Sequence, residues 1–380
     1  MIEITKARTW SEVNLSAIEE NYKALRARLE PGTRFLGIVK ADAYGHGAVR
    51  VAALLARLGC EYIGVATLDE AVSLRESGIT LPILILGYTQ PELAGILLEH
   101  DLTQTVLDFD TAKSVSDFAL SVGTKIKTHI KIDSGMGRLG FRAKTEAEIE
   151  AILQTINLAG LDCEGAFTHF AVSEDVSDGF TEIQLDFFKA LITRLEAESG
   201  KVFKIKHCAN SGAVINCKGS YFDMVRPGIA LYGHDPGCSP RDIPLKSAMS
   251  LKTRIIQIKE LEPGDTVSYG RAFTAREKTK IAVLPIGYAD GLFRALSGKT
   301  DMLLHGHRVR QLGKICMDLS VIDITGVPDA RLGDIVTVFG EDGGETVSAK
   351  ELAEICGTLS YEILCAVSKR VPRVYLGGAD

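Results

Sequence analysis

Several things are scarce in this chain of 380 residues. There is one tryptophan, Trp10, and aromatic residues make up only 7%. None of the eight cysteines (60, 163, 208, 217, 238, 316, 356 and 365) forms a Cys-x-x-Cys pair or a disulfide-like cluster. That spacing argues against a structural zinc site and a disulfide framework, and predicts reduced, mostly buried thiols. No apolar run is long enough to span a bilayer, since the most apolar stretch, Leu81–Leu86, is only a few residues long. The start, Met1-Ile2-Glu3-Ile4-Thr5-Lys6, has no basic region leading into an apolar run, so no secretory signal is read there and a cytoplasmic, membrane-free protein is expected. No block of one charge sign occurs and the net charge is −6, which offers no nucleic-acid surface. No Gly-x-Gly-x-x-Gly follows an early strand, which weighs against a dinucleotide fold.

Order is present throughout. Apolar residues are 46% and charged residues 24%, as in an average globular protein. Short apolar runs at 35–39, 62–66, 82–86, 104–107, 127–131, 163–168, 204–208 and 222–225 have strand length and strand-favouring residues. Segments of helical periodicity separate them, including Leu15-Ile18-Tyr22-Leu25 and Phe180-Ile183-Phe187-Leu191. Eight strands alternating with helices predict an α/β fold of the (β/α)8 barrel type, with an open doubly wound sheet as its competitor. After about residue 245 the texture changes to strand-like runs such as 251–259 and 334–339, punctuated by Gly/Asp/Pro turns. Helical character there is expected only at about 349–356 and 361–368. The expected division is therefore a barrel over 1–243 and a smaller, mostly β domain over 244–380. His234–Pro244 serves as the linker, and the extreme N-terminus is a candidate to pack on the second domain.

Barrel active sites lie where strands end. The first run ends in Lys40, followed by Ala-Asp-Ala-Tyr44-Gly-His-Gly47. A lysine there is either a snorkelling rim cation or a desolvated amine able to form a Schiff base. The fifth run ends in Lys131, and the glycine-rich loop after it carries Arg138, suited to hold a carboxylate. The sixth is followed by His169, readable equally as a core histidine. The seventh leads to Asn210-Ser211-Gly212, an anion-binding type of helix start. The eighth ends in Arg226-Pro-Gly228-Ile229, so that Ser211, Gly228 and Ile229 fall where barrels bind phosphate. One lysine for a Schiff base, a phosphate cradle and an inward arginine suit pyridoxal 5'-phosphate better than a sugar phosphate.

With those residues in place, eight motifs in register resemble the alanine racemase family. They are Val39–Gly47, Lys131–Gly140, His207–Ser211, Arg226–Gly233, Val267–Gly270, Pro285–Gly291, Gly313–Asp318 and Ser360–Ile363. The resemblance covers nearly the whole chain. It implies a homodimeric pyridoxal-phosphate enzyme interconverting L- and D-alanine, with each active site shared between the barrel of one subunit and the β domain of the other. The family supplies D-alanine for the bacterial cell wall. Position by position, it implies that Lys40 carries the cofactor and is one catalytic base, and that Tyr269 of the second domain is the other. It places Tyr44, Ser211, Gly228, Ile229 and Tyr361 on the phosphate, Arg226 at the pyridine nitrogen, and His169 between Arg226 and Tyr269. Arg138 and the backbone of Met317 match substrate-carboxylate contacts. Lys131 matches a position carbamylated in some members. Tyr288 matches the substrate entrance, and Cys316 and Asp318 flank Met317. Lys314 stands where several members carry arginine, and Asp42 where some carry asparagine. A serine or broader-specificity racemase is the first alternative. A barrel-type decarboxylase and a non-catalytic cofactor-binding protein are the others.

Overall fold

In a computed structural model, residues 7–237 and 243–378 are described. Part of the expected linker, Cys238, and the first six residues therefore lie outside the described residues. The chain divides into two units. One comprises Ile18–Ala43 and Ala48–Lys246; the other gathers the residues up to Ala17, the short piece Tyr44–Gly47, and everything from Ser247 onward.

The first unit is a barrel. Its eight strands are Arg34–Ile38, Tyr62–Val65, Ile83–Ile85, Thr103–Val106, Ile126–Lys131, Leu161–Phe167, Ile205–His207 and Met224–Val225. They pair in parallel in sequence order, and the last returns to the first through Arg34↔Met224 and Phe35↔Val225. Between the seventh and eighth, Asp223 N–H donates to Lys206 O (3.0 Å) and Arg226 N–H to Ala209 O (2.8 Å). Helices cover the outer face, so strands such as Ile83-Leu84-Ile85 are buried on both sides and read as unbroken apolar runs. The helix starts carry their own signals. Thr67, Asp108 and Thr145 each accept a backbone N–H three residues on, and Thr145 forms a reciprocal pair with Glu148.

The second unit is built on a mostly antiparallel sheet. In order across it run Gln257–Leu261, Thr279–Leu284, Ser320–Asp323, His307–Leu312, Asp301–Leu304, Ile335–Asp342, Met249–Arg254, Thr9–Asn14 and Arg373–Leu376. The strand Thr9–Asn14 lies antiparallel to Met249–Arg254 and parallel to Arg373–Leu376. The expected single strand at 251–259 is two strands. The chain leaves one set of partners at Arg254 and joins Thr279–Val283 at Gln257. Two helices, Ala349–Cys356 and Ser360–Cys365, complete the unit, together with short 3-10 turns at Tyr269, Tyr288 and Arg294 that the sequence did not announce. Among the described residues no helix is long and apolar enough to cross a membrane, and the seven described cysteines are free.

Candidate active site

Lys40 follows the first barrel strand and opens a turn of unusual hand. Ala41, Asp42 and Ala43 have φ/ψ of (52, 49), (53, 45) and (56, 48), and Tyr44 continues at φ 53. Four successive non-glycine residues in the left-handed region are costly, at roughly 1–2 kcal/mol each. Backbone and side-chain bonds hold the turn in place. Ala43 N–H donates to Val39 O (2.7 Å). The Glu70 carboxylate accepts from Ala41 N–H (2.6 Å) and Ala66 N–H (2.7 Å). Asp42 accepts from Ala48 N–H (2.8 Å).

Arg226 is a buried cation of the barrel, only 4% exposed. One terminal nitrogen donates to Thr168 O (2.8 Å) and Cys208 O (3.1 Å) and faces His169 Nδ1 at 3.3 Å. The other donates to His207 Nδ1 at 2.8 Å. A guanidinium only donates, so His207 Nδ1 is the acceptor and its proton sits on Nε2. That N–H is 2.8 Å from His129 Nδ1, which in turn places the His129 proton on Nε2, 3.5 Å from the Glu164 carboxylate. The sequence motif includes His207 without giving it a role, and His129 belongs to none of the motifs. The available signal was its spacing of two residues from Lys131, which puts both on one face of a strand. Burial and the Arg226 charge hold His207 and His169 well below the usual histidine range, so both rings are neutral. Burial also pulls Arg226 down to about 10, still protonated at neutral pH.

Lys131 is 6% exposed. Burial first, and then the Arg226 and Arg138 charges, lower its amine to about 7. Its Nζ donates to Ile132 O (2.8 Å) and lies 5.2 Å from the centre of the Phe167 ring, which Arg226 also faces, at 5.1 Å. Arg138 lies on the exposed loop that follows. Asp133 ties that loop by accepting from Gly135 N–H (3.1 Å) and Gly137 N–H (3.0 Å). At Gly140, φ is +105 and a Cβ would come within 2.4 Å of Lys131 O, so no other residue fits. Ser211 Oγ accepts from Gly228 N–H (2.9 Å) and Ala230 N–H (3.3 Å), which gathers Ser211, Gly228 and Ile229 into one cluster.

The second unit carries the other predicted residues. The Tyr44 and Tyr361 rings meet edge to face, 5.8 Å apart. Burial, and then the neighbouring Tyr361, raise the Tyr44 phenol. Tyr269 stands at the tip of a ribbon formed by Thr266–Val267 and Phe273–Thr274, and is 69% exposed. Ser268 before it has φ 68 and ψ −178, a conformation that costs a non-glycine residue about 1–3 kcal/mol. Its hydroxyl donates to Lys314 O at 2.5 Å. A cavity of about 400 Å³ is lined by Ser268, Tyr269, Cys316, Met317, Asp318 and Leu319. Tyr288 lies at a neighbouring turn, where its N–H donates to Cys316 O (3.0 Å) and Ala289 N–H donates to Met317 O (3.0 Å).

The arrangement thus supplies an amine at a strand end, a buried donor-only cation held by carbonyls and neutral histidines, and N–H groups converging on one hydroxyl. This defines a barrel enzyme with a site suited to a phosphorylated aromatic cofactor. Comparison with known proteins narrows the class. The family model described as "Alanine racemase, N-terminal domain" matches residues 13–236, and that of the C-terminal domain matches residues 248–375. An alanine racemase of Desulfovibrio desulfuricans is 43% identical over 97% of this chain and 98% of its own. The solved alanine racemase of Clostridium difficile superposes with a TM-score of 0.92 at 40% identity, covering 98% of this chain and 96% of its own. An alanine racemase structure from Bartonella henselae "with covalently bound pyridoxal phosphate" gives a TM-score of 0.88 at 28% identity, over 97% of this chain and 100% of its own. The chain belongs to the alanine racemase family.

Proposed function

We propose that this protein interconverts L-alanine and D-alanine on pyridoxal 5'-phosphate, supplying D-alanine for peptidoglycan in the cytoplasm. The observation that carries the reading is the Arg226 environment together with family membership. Among the described residues, the donors of the buried Arg226 go to backbone carbonyls and histidine nitrogens. Such a donor suits a ring nitrogen that acts as an acceptor, and Ser211 with the Gly228 and Ala230 amides suits a phosphate. When bound, the cofactor supplies a conjugated ring that delocalises the electron pair left as Cα loses its proton.

The residues of the chain then divide the work. Lys40 would hold the cofactor and would move a proton on one face of Cα. The Tyr269 phenol moves a proton on the opposite face. Two bases on opposite faces spare a single group from crossing the ring plane. Arg226 stays protonated, so it would offer a donor to the ring nitrogen and would limit how much charge that ring could take up. Being neutral, His169 can accept from Arg226 and pass polarisation toward a tyrosine. Tyr44 and Tyr361, the partners in the phenol pair of the second unit, join Ser211, Gly228 and Ile229 as phosphate contacts. Arg138 and the Met317 amide hold the substrate carboxylate. Lys131, with its depressed amine, is set up to react with carbon dioxide near neutral pH. The amine nitrogen bonds the carbon and releases a proton, and the resulting carbamate gives Arg138 a negative partner. Tyr288 and Tyr361 restrict the pocket to a methyl side chain.

The working form is a homodimer in which Tyr269 and Met317 serve the site of the other copy. The exposure of Tyr269, Met317, Tyr288 and Leu319 in the single chain supports this, because such a cluster of large apolar groups is normally covered. The test is a chirality assay: incubate the cofactor-loaded protein with each L-amino acid and measure the D-form. L-Alanine converting well above L-serine is the expected result. A preference for serine would move the assignment to a broader racemase, and no racemisation of any amino acid would defeat it.

A further inference from the structure

Among the described residues, the second unit contains a fully buried carboxylate that none of the roles above uses. The Asp290 side chain is 0% exposed. Its Oδ1 accepts from Arg8 (2.7 Å) and from Arg370 Nε (2.7 Å). Its Oδ2 accepts from Gly287 N–H (3.0 Å) and Arg370 (3.0 Å). These contacts hold the carboxyl below its ordinary range despite burial, with Arg370 the largest of the lowering influences. A carboxylate removed from water is tolerated only when its oxygens are satisfied in this way.

The consequence lies one layer out. Asp290 closes the turn Gly287–Asp290, and Asp290 N–H itself donates to Gly287 O (3.0 Å). The two N–H groups in the middle of that turn, those of Tyr288 and Ala289, pin the carbonyls of Cys316 and Met317. The approach is so close that a Cβ on Gly287 would sit 2.2 Å from Cys316 O and 2.3 Å from Met317 O. From the other side, Arg370 reaches past Asp290 to Asp318 Oδ1 (2.6 Å). The Cys316–Met317 peptide is therefore held by its own carbonyl, by the next carbonyl and by the following side chain. A trans peptide points its N–H opposite to its C=O. With Cys316 O drawn toward the Gly287 turn, the Met317 N–H is turned away from that turn. Cys316 and Met317 themselves line the cavity shared with Tyr269.

We infer that Asp290 is a positioning residue for substrate-carboxylate binding: through the Gly287–Ala289 turn and through Arg370 it aims the Met317 N–H. This rests on the reading that the Met317 amide meets the substrate carboxylate. The test uses the cofactor-loaded protein, with Asp290→Asn and the milder Asp318→Asn. In Asp290→Asn the carboxamide loses one acceptor and opposes a donor to an arginine. KM for alanine and the inhibition constant of propionate should both rise about ten- to a hundredfold, the range for losing one hydrogen bond to a charged group. The change in kcat should be smaller. Amide exchange at Tyr288 and Ala289, read by hydrogen–deuterium exchange, should quicken. Asp318→Asn, which loses only the Arg370 anchor, should show the same split with a smaller rise. It carries the test alone if Asp290→Asn does not fold. A folded variant with unchanged KM, or with kcat and KM altered equally, overturns the inference. Wild-type protein that racemises nothing overturns the underlying reading instead.

Discussion

Replacing Ala41 with glycine should stabilise this protein. That sign is opposite to the usual effect of glycine, and the left-handed turn after Lys40 is the reason. Ala41 has φ 52 and ψ 49 and is exposed, so its methyl group contributes strain without core packing. Removing the Cβ relieves roughly 1–2 kcal/mol. The added freedom of glycine in the unfolded chain costs about 0.5–1 kcal/mol. The bond from the residue 41 N–H to Glu70 survives, because it involves only backbone on that side. The balance is a gain of about 0.5–1 kcal/mol, or a rise of about 1–4 °C in Tm at the scale expected for a unit of this size. The control is Ala53→Gly, in the middle of the ordinary right-handed helix Ala48–Arg57. It should cost about 1 kcal/mol and lower Tm by about 2–4 °C. Thermal unfolding followed by far-UV circular dichroism on both variants is sufficient. If Ala41→Gly lowered Tm as much as the control, the turn would carry no strain and the reasoning would fail.

Tyr269→Phe should cut proton abstraction from one alanine enantiomer by roughly 10²–10⁴-fold, and from the other far less, when primary deuterium effects and rates are compared in both directions; equal, small losses would sink the two-base division. In carbon-dioxide-free buffer, where the Lys131 amine is unmodified, Lys131→Met should change the pH dependence of stability. The folded-state amine titrates near 7, well below its ordinary value, so between about pH 7 and the normal lysine range the unfolded chain binds the extra proton and wild-type stability rises with pH. The variant should lack that rise in Tm across pH 7–10; an identical slope in both proteins would refute the assignment.

The barrel is legible in the sequence because several of its strands, such as Ile83–Ile85 and Thr103–Val106, are buried on both faces. The runs at 62–66 and 82–86 needed only their apolar continuity to be recognised. The strand-end residues followed, since the residue after each run marks the rim. Three kinds of feature were not legible. The break at Ile255–Ile256 reflects a change of partner: Ile255 N–H bonds Asp334 O and Ile256 N–H bonds Val283 O, and both partners are distant in sequence. The His207–His129 relay depends on two side chains converging inside the barrel from different strands, which no local pattern encodes. The Asp290 clamp joins residues 8, 290 and 370, and an aspartate in a Tyr-Ala-Asp-Gly turn reads as ordinary turn chemistry.

The strand Thr9–Asn14 has a consequence for how the chain is made. It is synthesised long before its partners, Met249–Thr253 on one side and Arg373–Leu376 on the other. The barrel, continuous from Ile18 to Lys246 apart from Tyr44–Gly47, has all its strands available much earlier. Through most of synthesis the first strand is therefore an open edge with unpaired amides, the kind of surface that invites wrong partners. Pairing Thr9 with Thr253 closes a loop holding the whole barrel, so a barrel already folded shortens the effective gap that this pairing must bridge. The sheet is finished only when Arg373–Leu376 arrives, which makes that late strand the one that commits Thr9–Asn14 to its place.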